Sequence, residues 1–227
     1  MIAFVGSEAT GKSTILNEIG TWLGQNRRVQ RIHAGKPPST ILTFVPHSLL
    51  PALRAMFPEQ RSLRVGARNE ETPDAPDQVY PFMFGLRSVM LAYERRALIK
   101  RARAWAAGGT IVLSDRFPSC APDGPQLSRL STDSSRGSPR RWLASLEAHL
   151  YHDIPPPDLV IQLTAPLEVT LARNAAREKK EPEDYVRLRH ALSSNIQFDG
   201  AVVHQIDTDR PLEAVLRDVK EAIANAL

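Results

Sequence analysis

The sequence predicts an α/β protein built on a parallel sheet with helices on both faces. Three observations carry that expectation: five short runs of β-branched and apolar residues, a helical pattern between successive runs, and a length of 227 residues that suits one such domain. Strands are expected at Ile2–Val5, Val29–His33, Thr110–Ser114, Leu159–Leu163 and Val202–Ile206. Strands that read as nearly continuous apolar runs, separated by helices, belong to sheets covered on both sides.

Helices are expected near Lys12–Gln25, Phe82–Ala107, Pro139–Tyr151, Pro166–Glu178, Glu183–Ser194 and Pro211–Ala226. In the longest, Phe82, Leu86, Val89, Tyr93 and Ala97 recur at steps of three and four, while Glu94, Arg95, Lys100 and Arg101 fill other faces. Pro139, Pro166 and Pro211 sit near helix starts, where a missing N–H costs little. Glu59–Pro81 and Pro118–Ser138 carry loop chemistry, and loops of that length in a compact domain are usually functional lids or disordered segments.

Composition narrows the function classes. Hydrophobic residues make up 42% and charged residues 24%, the balance of a soluble globular protein. No apolar run is long enough to cross a bilayer, and the N-terminal run lacks a basic flank, so neither a membrane span nor a secretory leader is expected. The one cysteine, Cys120, cannot form an internal disulfide, which suits a reducing cytoplasm. The net charge of +4 rests on 23 arginines and only six lysines, a bias that suits phosphate recognition. No basic block of nucleic-acid-binding length accompanies it, so no polymeric nucleic acid is expected as a partner. His149 and His152, three apart on one helix, lack the convergent carboxylates or thiols of a metal site.

Chemistry enters at Gly6-Ser7-Glu8-Ala9-Thr10-Gly11-Lys12-Ser13-Thr14, which fits the spacing G-x-x-x-x-G-K-[ST] after an apolar strand and at the opening of a helix. Glycines let backbone N–H groups approach phosphate oxygens, and the helix N-terminus adds favourable partial charge. Lys12 is placed for the β- and γ-phosphates of ATP and the Ser13 hydroxyl for Mg²⁺. The third strand runs into Ser114-Asp115-Arg116-Phe117. A carboxylate and an arginine at the carboxyl edge of a parallel sheet border the phosphate site. Asp115 is a candidate to polarise an acceptor oxygen or hold a Mg²⁺ water, and Arg116 to bind a phosphate.

The phosphate loop, Asp115-Arg116-Phe117 and the arginine-rich helix after the fourth strand together resemble the thymidylate kinase-like branch of nucleotide and deoxynucleoside kinases. The resemblance covers the chain in architecture and about a tenth of it in specific motifs. It implies the three-layer P-loop NTPase fold, with a five-stranded parallel sheet in the order 2-3-1-4-5, in one kinase domain spanning residues 1–227. It also implies an arginine-bearing lid over ATP, expected at about 166–194. By the same resemblance Glu8 stands where the family carries an acidic residue facing the acceptor, and Arg87 resembles its acceptor-binding arginine. Asp207-Thr208-Asp209-Arg210 resembles the segment bordering adenine, although Asp209 is equally a helix cap. Arg173 and Arg177, four apart, are expected to share one helix face and to point at one triphosphate.

Departures from the family pattern bear on the acceptor. Thymidylate kinases carry Arg-x-Pro-Gly after the second strand, where this chain has Gly35-Lys36-Pro37-Pro38-Ser39. Their pyrimidine-holding Tyr-Gln pair is replaced by the stretch from Pro118 to Pro125, leaving Lys36 and Asp123 as candidate acceptor-pocket residues. The phosphate loop also resembles that of ribosylnicotinamide kinases. The expectation is therefore an ATP- and Mg²⁺-dependent phosphotransferase with a small-molecule or nucleotide acceptor, with a homodimer as its assembly. The alternatives are a nucleoside or ribosylnicotinamide-type kinase, or a slow ATPase acting as a regulator.

Overall fold

The computed structural model describes residues 1–35, 82–119, 130, 139–178, 180–194 and 196–226. The elements are β1 (Ile2–Gly6), α1 (Lys12–Gly24), β2 (Val29–His33), α2 (Phe82–Ala107), β3 (Ile111–Asp115), α3 (Pro139–His152), β4 (Leu159–Thr164), α4 (Leu167–Ala175), α5 (Glu183–Ser194), β5 (Val202–Asp207) and α6 (Leu212–Ala224). Five parallel strands form one sheet in the order β2-β3-β1-β4-β5, which is the P-loop NTPase arrangement. Among the described residues, no helix is long and apolar enough to cross a membrane.

The chain divides into two compact units. In the first, comprising 1–36, 98–127 and 155–227, alternate strand residues Ile2, Phe4, Ile111, Leu113, Leu159, Ile161 and Leu163 pack with Ile15, Ile19 and Leu23 of α1 and Val215, Val219 and Ile223 of α6. The residues between them in sequence point to the opposite face. Ala3, Val112, Ser114 and Val160 there are fully buried, so both faces of the sheet are covered, as the apolar strands require.

Register places the carboxyl ends of the three central strands side by side. Phe4 pairs with Asp115, His33 pairs with Asp115, and Gly6 pairs with Leu163. Gly6 has a φ of 144°, and a Cβ there would lie 2.2 Å from the Leu163 carbonyl oxygen. Only glycine lets the chain leave β1 at this point.

The second unit comprises 37–97 and 128–154. Its described core joins Val89 and Ala92 of α2 to Leu130 and to Leu143, Ala144, Leu150 and Tyr151 of α3. The apolar stripe expected on this helix is only partly right. Tyr93 and Ala97 are exposed, whereas Glu94 and Arg95 are buried. The Arg95 guanidinium donates to the Tyr151 hydroxyl and lies 5.5 Å from that ring's centre. A fixed partner of that kind makes burial of an arginine tolerable where hydrophobic periodicity alone would expose it. Glu147, also buried, accepts the Leu130 N–H at 3.0 Å. Arg87 lies on α2 within this unit, half-buried.

Candidate nucleotide-binding site

The phosphate loop wraps around its own lysine. Lys12 Nζ donates to the carbonyl oxygens of Gly6, at 3.2 Å, and Ser7, and lies 3.3 Å from Thr10 Oγ1. Thr10 Oγ1 in turn donates to the Ser7 carbonyl at 3.0 Å. Ala9 and Gly11 take positive φ values of 59° and 82°, turning the chain tightly into α1, whose first bond runs from Ile15 N–H to the Gly11 carbonyl at 3.0 Å. A backbone folded this way presents successive N–H groups as an anion cradle at a helix N-terminus. Ser13 and Thr14 stand exposed at its mouth. Burial, and next the nearby Arg116 cation, push the Lys12 ammonium down to about 8.

A cavity of about 170 Å³ opens beside the loop, lined by Glu8, Ala9, Gly11, Lys12, Ser13, Thr14, His33, Asp115, Arg116 and Arg177. The end of β3 supplies two of its charges. Arg116 sits in the left-handed region at φ 68°, held by its N–H to the Phe4 carbonyl at 2.9 Å and by the Ser114 hydroxyl on its own carbonyl at 2.7 Å. Such a conformation in a non-glycine residue costs of order 1 kcal/mol or more and concentrates at functional sites. It aims the guanidinium at Glu8, with Arg116 Nη2 2.7 Å from Glu8 Oε1. Burial would raise the Glu8 carboxyl, but the cations of Arg116 and Lys12 and the Arg116 hydrogen bond hold it below its ordinary value. Burial likewise opposes the charge on Arg116, and Glu8 and Asp115 outweigh it, so the guanidinium is stabilised.

Asp115 Oδ2 lies 3.9 Å from His33 Nε2, while Asp115 Oδ1 is buried with no hydrogen-bond partner among the described residues. A buried carboxylate oxygen without a donor is costly until a ligand supplies a donor or a cation. That oxygen and the exposed Ser13 hydroxyl fit Mg²⁺, a hard cation that keeps several waters and takes few protein oxygens.

The expected residues divide into three groups. Gly6, Ser7 and Thr10 build the loop, while Glu8, Ala9, Gly11, Lys12, Ser13, Thr14, Asp115, Arg116 and Arg177 line one cavity. Arg173 does not join them. Its Nη1 and Nη2 reach Thr208, at 3.2 Å to Oγ1 and 2.8 Å to the carbonyl, and Thr208 is itself tied to the Thr164 carbonyl. Lys36, Cys120 and Asp123 lie outside the described residues, as do the segments 59–81 and 120–129.

The shared helix face expected for Arg173 and Arg177 is not formed. Helix α4 ends at Ala175, because the buried Asn174 side chain bonds both the carbonyl (2.9 Å) and the N–H (3.1 Å) of Glu181. That closure turns the chain, and Arg177 reaches the cavity from beyond the helix end. Asp209 does not cap α6, since Pro211 occupies the cap and Asp209 N–H instead donates to Asp207 Oδ1 at 3.0 Å.

Two residues were not anticipated. His33 enters the cavity through its register opposite Asp115. Arg189, on α5, places Nε 3.9 Å from Glu8 Oε1 with its side chain largely buried. The sequence signal for Arg189 was the Arg187-x-Arg189 pair on the helix after the lid turn, where only one of the two arginines is used locally, Arg187 with Glu183.

No family model matches the chain. It is 26% identical to the uncharacterized ATP-binding protein YghR of Escherichia coli (strain K12), over 99% of this chain and 86% of that protein. It is 24% identical to the uncharacterized ATP-binding protein YghS of the same strain, over 100% and 93%. It is 27% identical to a thymidylate kinase of Alkalilimnicola ehrlichii, again over 100% of this chain and 93% of the relative. With the loop geometry, these full-length similarities support a nucleotide-binding protein of a kinase-like P-loop family and select no branch within it.

Proposed function

We propose that the chain is an ATP-dependent phosphotransferase that moves the γ-phosphoryl group to a small acceptor. The observation that carries the reading is one cavity lined at once by the phosphate-loop residues Lys12 and Ser13, the β3-end pair Asp115 and Arg116, and the lid-side cation Arg177. A bare nucleotide switch needs the first two; cations and a carboxylate converging from three further segments suit transfer between two substrates. Full-length similarity to a thymidylate kinase supports the same reading.

Phosphoryl transfer asks the protein chiefly to position reactants and neutralise charge. On binding nucleotide, Lys12 exchanges its contacts with the Gly6 and Ser7 carbonyls for phosphate oxygens. Mg²⁺, held through Ser13 and Asp115, supplies neutralisation of the β- and γ-phosphates. Arg177, carried by the turn between α4 and α5, closes on the γ-phosphate, so that residues 166–194 act as the lid. Arg173 orders the Thr208 segment beside the base. Asp115 orients the acceptor oxygen.

The reading is tested by measuring ADP release with Mg²⁺ and ATP alone, and then with panels of nucleosides, nucleotides, sugars and hydroxylated metabolites. An acceptor should stimulate release at least tenfold, a barrier change of about 1.4 kcal/mol. Release indifferent to every acceptor but raised by a protein partner would make the protein a switch instead.

A further inference from the structure

We infer that the acceptor is an uncharged hydroxyl compound and that Glu8 excludes phosphomonoesters from its place. The inference rests on the phosphotransferase reading and names the chemical class that its second subsite takes. Among the described residues of the first unit, the cation beside Asp115 in the cavity is Arg116, and it is already committed to Glu8 at 2.7 Å. Arg189 approaches the same carboxylate oxygen at 3.9 Å. The backbone anchors on Phe4 and Ser114 fix where the Arg116 guanidinium points, and its side chain and that of Glu8 are 23% and 10% exposed, too little for water to screen the pair fully.

A phosphomonoester dianion entering here would have to take Arg116 from Glu8. It would also stand beside two carboxylates, Glu8 and Asp115, while bringing them only acceptor oxygens. Like charges meeting in a partly buried site are strongly unfavourable. A hydroxyl group brings the opposite chemistry, because it is neutral and supplies the donor that Asp115 Oδ1 lacks. In the transfer, the acceptor oxygen forms a bond to the γ-phosphorus as the bond to the β,γ-bridging oxygen breaks. The electron pair leaves with ADP, and the hydroxyl proton passes to Asp115 and on to water.

Two measurements test the inference. In the first, wild-type protein with Mg²⁺ and ATP is given acceptors in pairs that differ by one phosphoryl group, such as nucleosides with their monophosphates and hexoses with their 6-phosphates. The uncharged member of the productive pair should have a kcat/KM at least tenfold higher, and preference for the phosphorylated member overturns the inference. In the second, the phosphate loop is filled with a non-hydrolysable ATP analogue and Mg²⁺, and phenyl phosphate is titrated by calorimetry into wild type and Glu8→Gln. The variant, checked for folding by its retained affinity for the analogue, should bind phenyl phosphate at least tenfold more tightly. Equal or tighter binding by wild type overturns the inference. Should no acceptor yield ADP, the phosphotransferase reading fails, and the phenyl phosphate comparison alone then decides whether Glu8 excludes phosphate.

Discussion

Arg116, at the end of β3, reaches across to Glu8 in the phosphate loop and bonds it at 2.7 Å. The contact ties together two segments more than a hundred residues apart in the chain, and it sets the charge of the cavity between them. Arg116 holds a left-handed backbone to make it, so local strain and a long-range ion pair stand at the same residue.

Loss of that pair should be felt first as stability. Arg116→Ala leaves a nearly buried carboxylate with only the more distant Arg189, and unfolding should become easier by about 2 kcal/mol. Glu8 titrates below its ordinary value in the folded protein, so it binds fewer protons there than when unfolded. Its contribution is therefore present above about pH 4.5 and lost as pH falls further. Thermal melts of wild type and Glu8→Gln between neutral and acid pH should converge on the acid side. Parallel curves would contradict the assignment.

Lys12 should make nucleotide binding depend on pH on the alkaline side. Its ammonium is pushed down to about 8 in the free protein, and bound phosphates favour the charged form. The complex therefore holds a proton that the free protein has begun to lose, and ATP affinity should fall above about pH 8, approaching tenfold per pH unit. Calorimetric titration in buffers of different ionisation heat reads the proton taken up. Lys12→Arg, which stays charged, should flatten the profile. A flat wild-type profile between about pH 7 and about pH 9 would show that Lys12 is not the group met by the phosphates.

The two lid-region arginines should separate kinetically. Arg177 lines the cavity, so Arg177→Ala should lower turnover by roughly 10²-fold with a smaller change in ATP affinity, the scale of one lost preorganised donor. Arg173 is tied to Thr208, so Arg173→Ala should mainly raise the KM for ATP. Steady-state kinetics of both variants would reveal the reverse pattern if Arg173 were the catalytic cation.

Much of the fold and part of the site can be read from residue order alone, and the reasons differ by element. The sheet strands are legible because burial on both faces demands apolar runs, and observed bounds such as Leu159–Thr164 lie within a residue of those expected. The phosphate loop is legible because its glycines and lysine act through local backbone geometry. The end of α4 is not, because it is set by a side-chain closure from Asn174 onto Glu181 that propensity does not encode. Arg189 and His33 are not, because each reaches the site through tertiary placement alone. The buried face of α2 misleads because Arg95 finds a partner in Tyr151 on another helix.

Gly6→Ala should damage the loop without touching a single charge. The new methyl group would meet the Leu163 carbonyl at 2.2 Å, and the backbone φ of 144° disfavours any side chain. Stability should fall by about 2 kcal/mol, and ATP binding should be lost at temperatures where the protein remains folded. Fluorescence melts paired with nucleotide titration check both outcomes, and unchanged ATP affinity would show that the loop tolerates a different exit from β1.

The central claim is that Lys12 and its cavity transfer phosphoryl groups rather than merely hold a nucleotide. The direct measurement follows label from ATP carrying a marked γ-phosphate in the presence of Mg²⁺ and an acceptor panel, for wild type and Lys12→Ala. Label should appear covalently on a small acceptor with wild type, and its rate should fall by about 10³-fold or more in the variant while the variant keeps its fold. Label recovered only as inorganic phosphate, or transferred equally well by Lys12→Ala, would contradict the account.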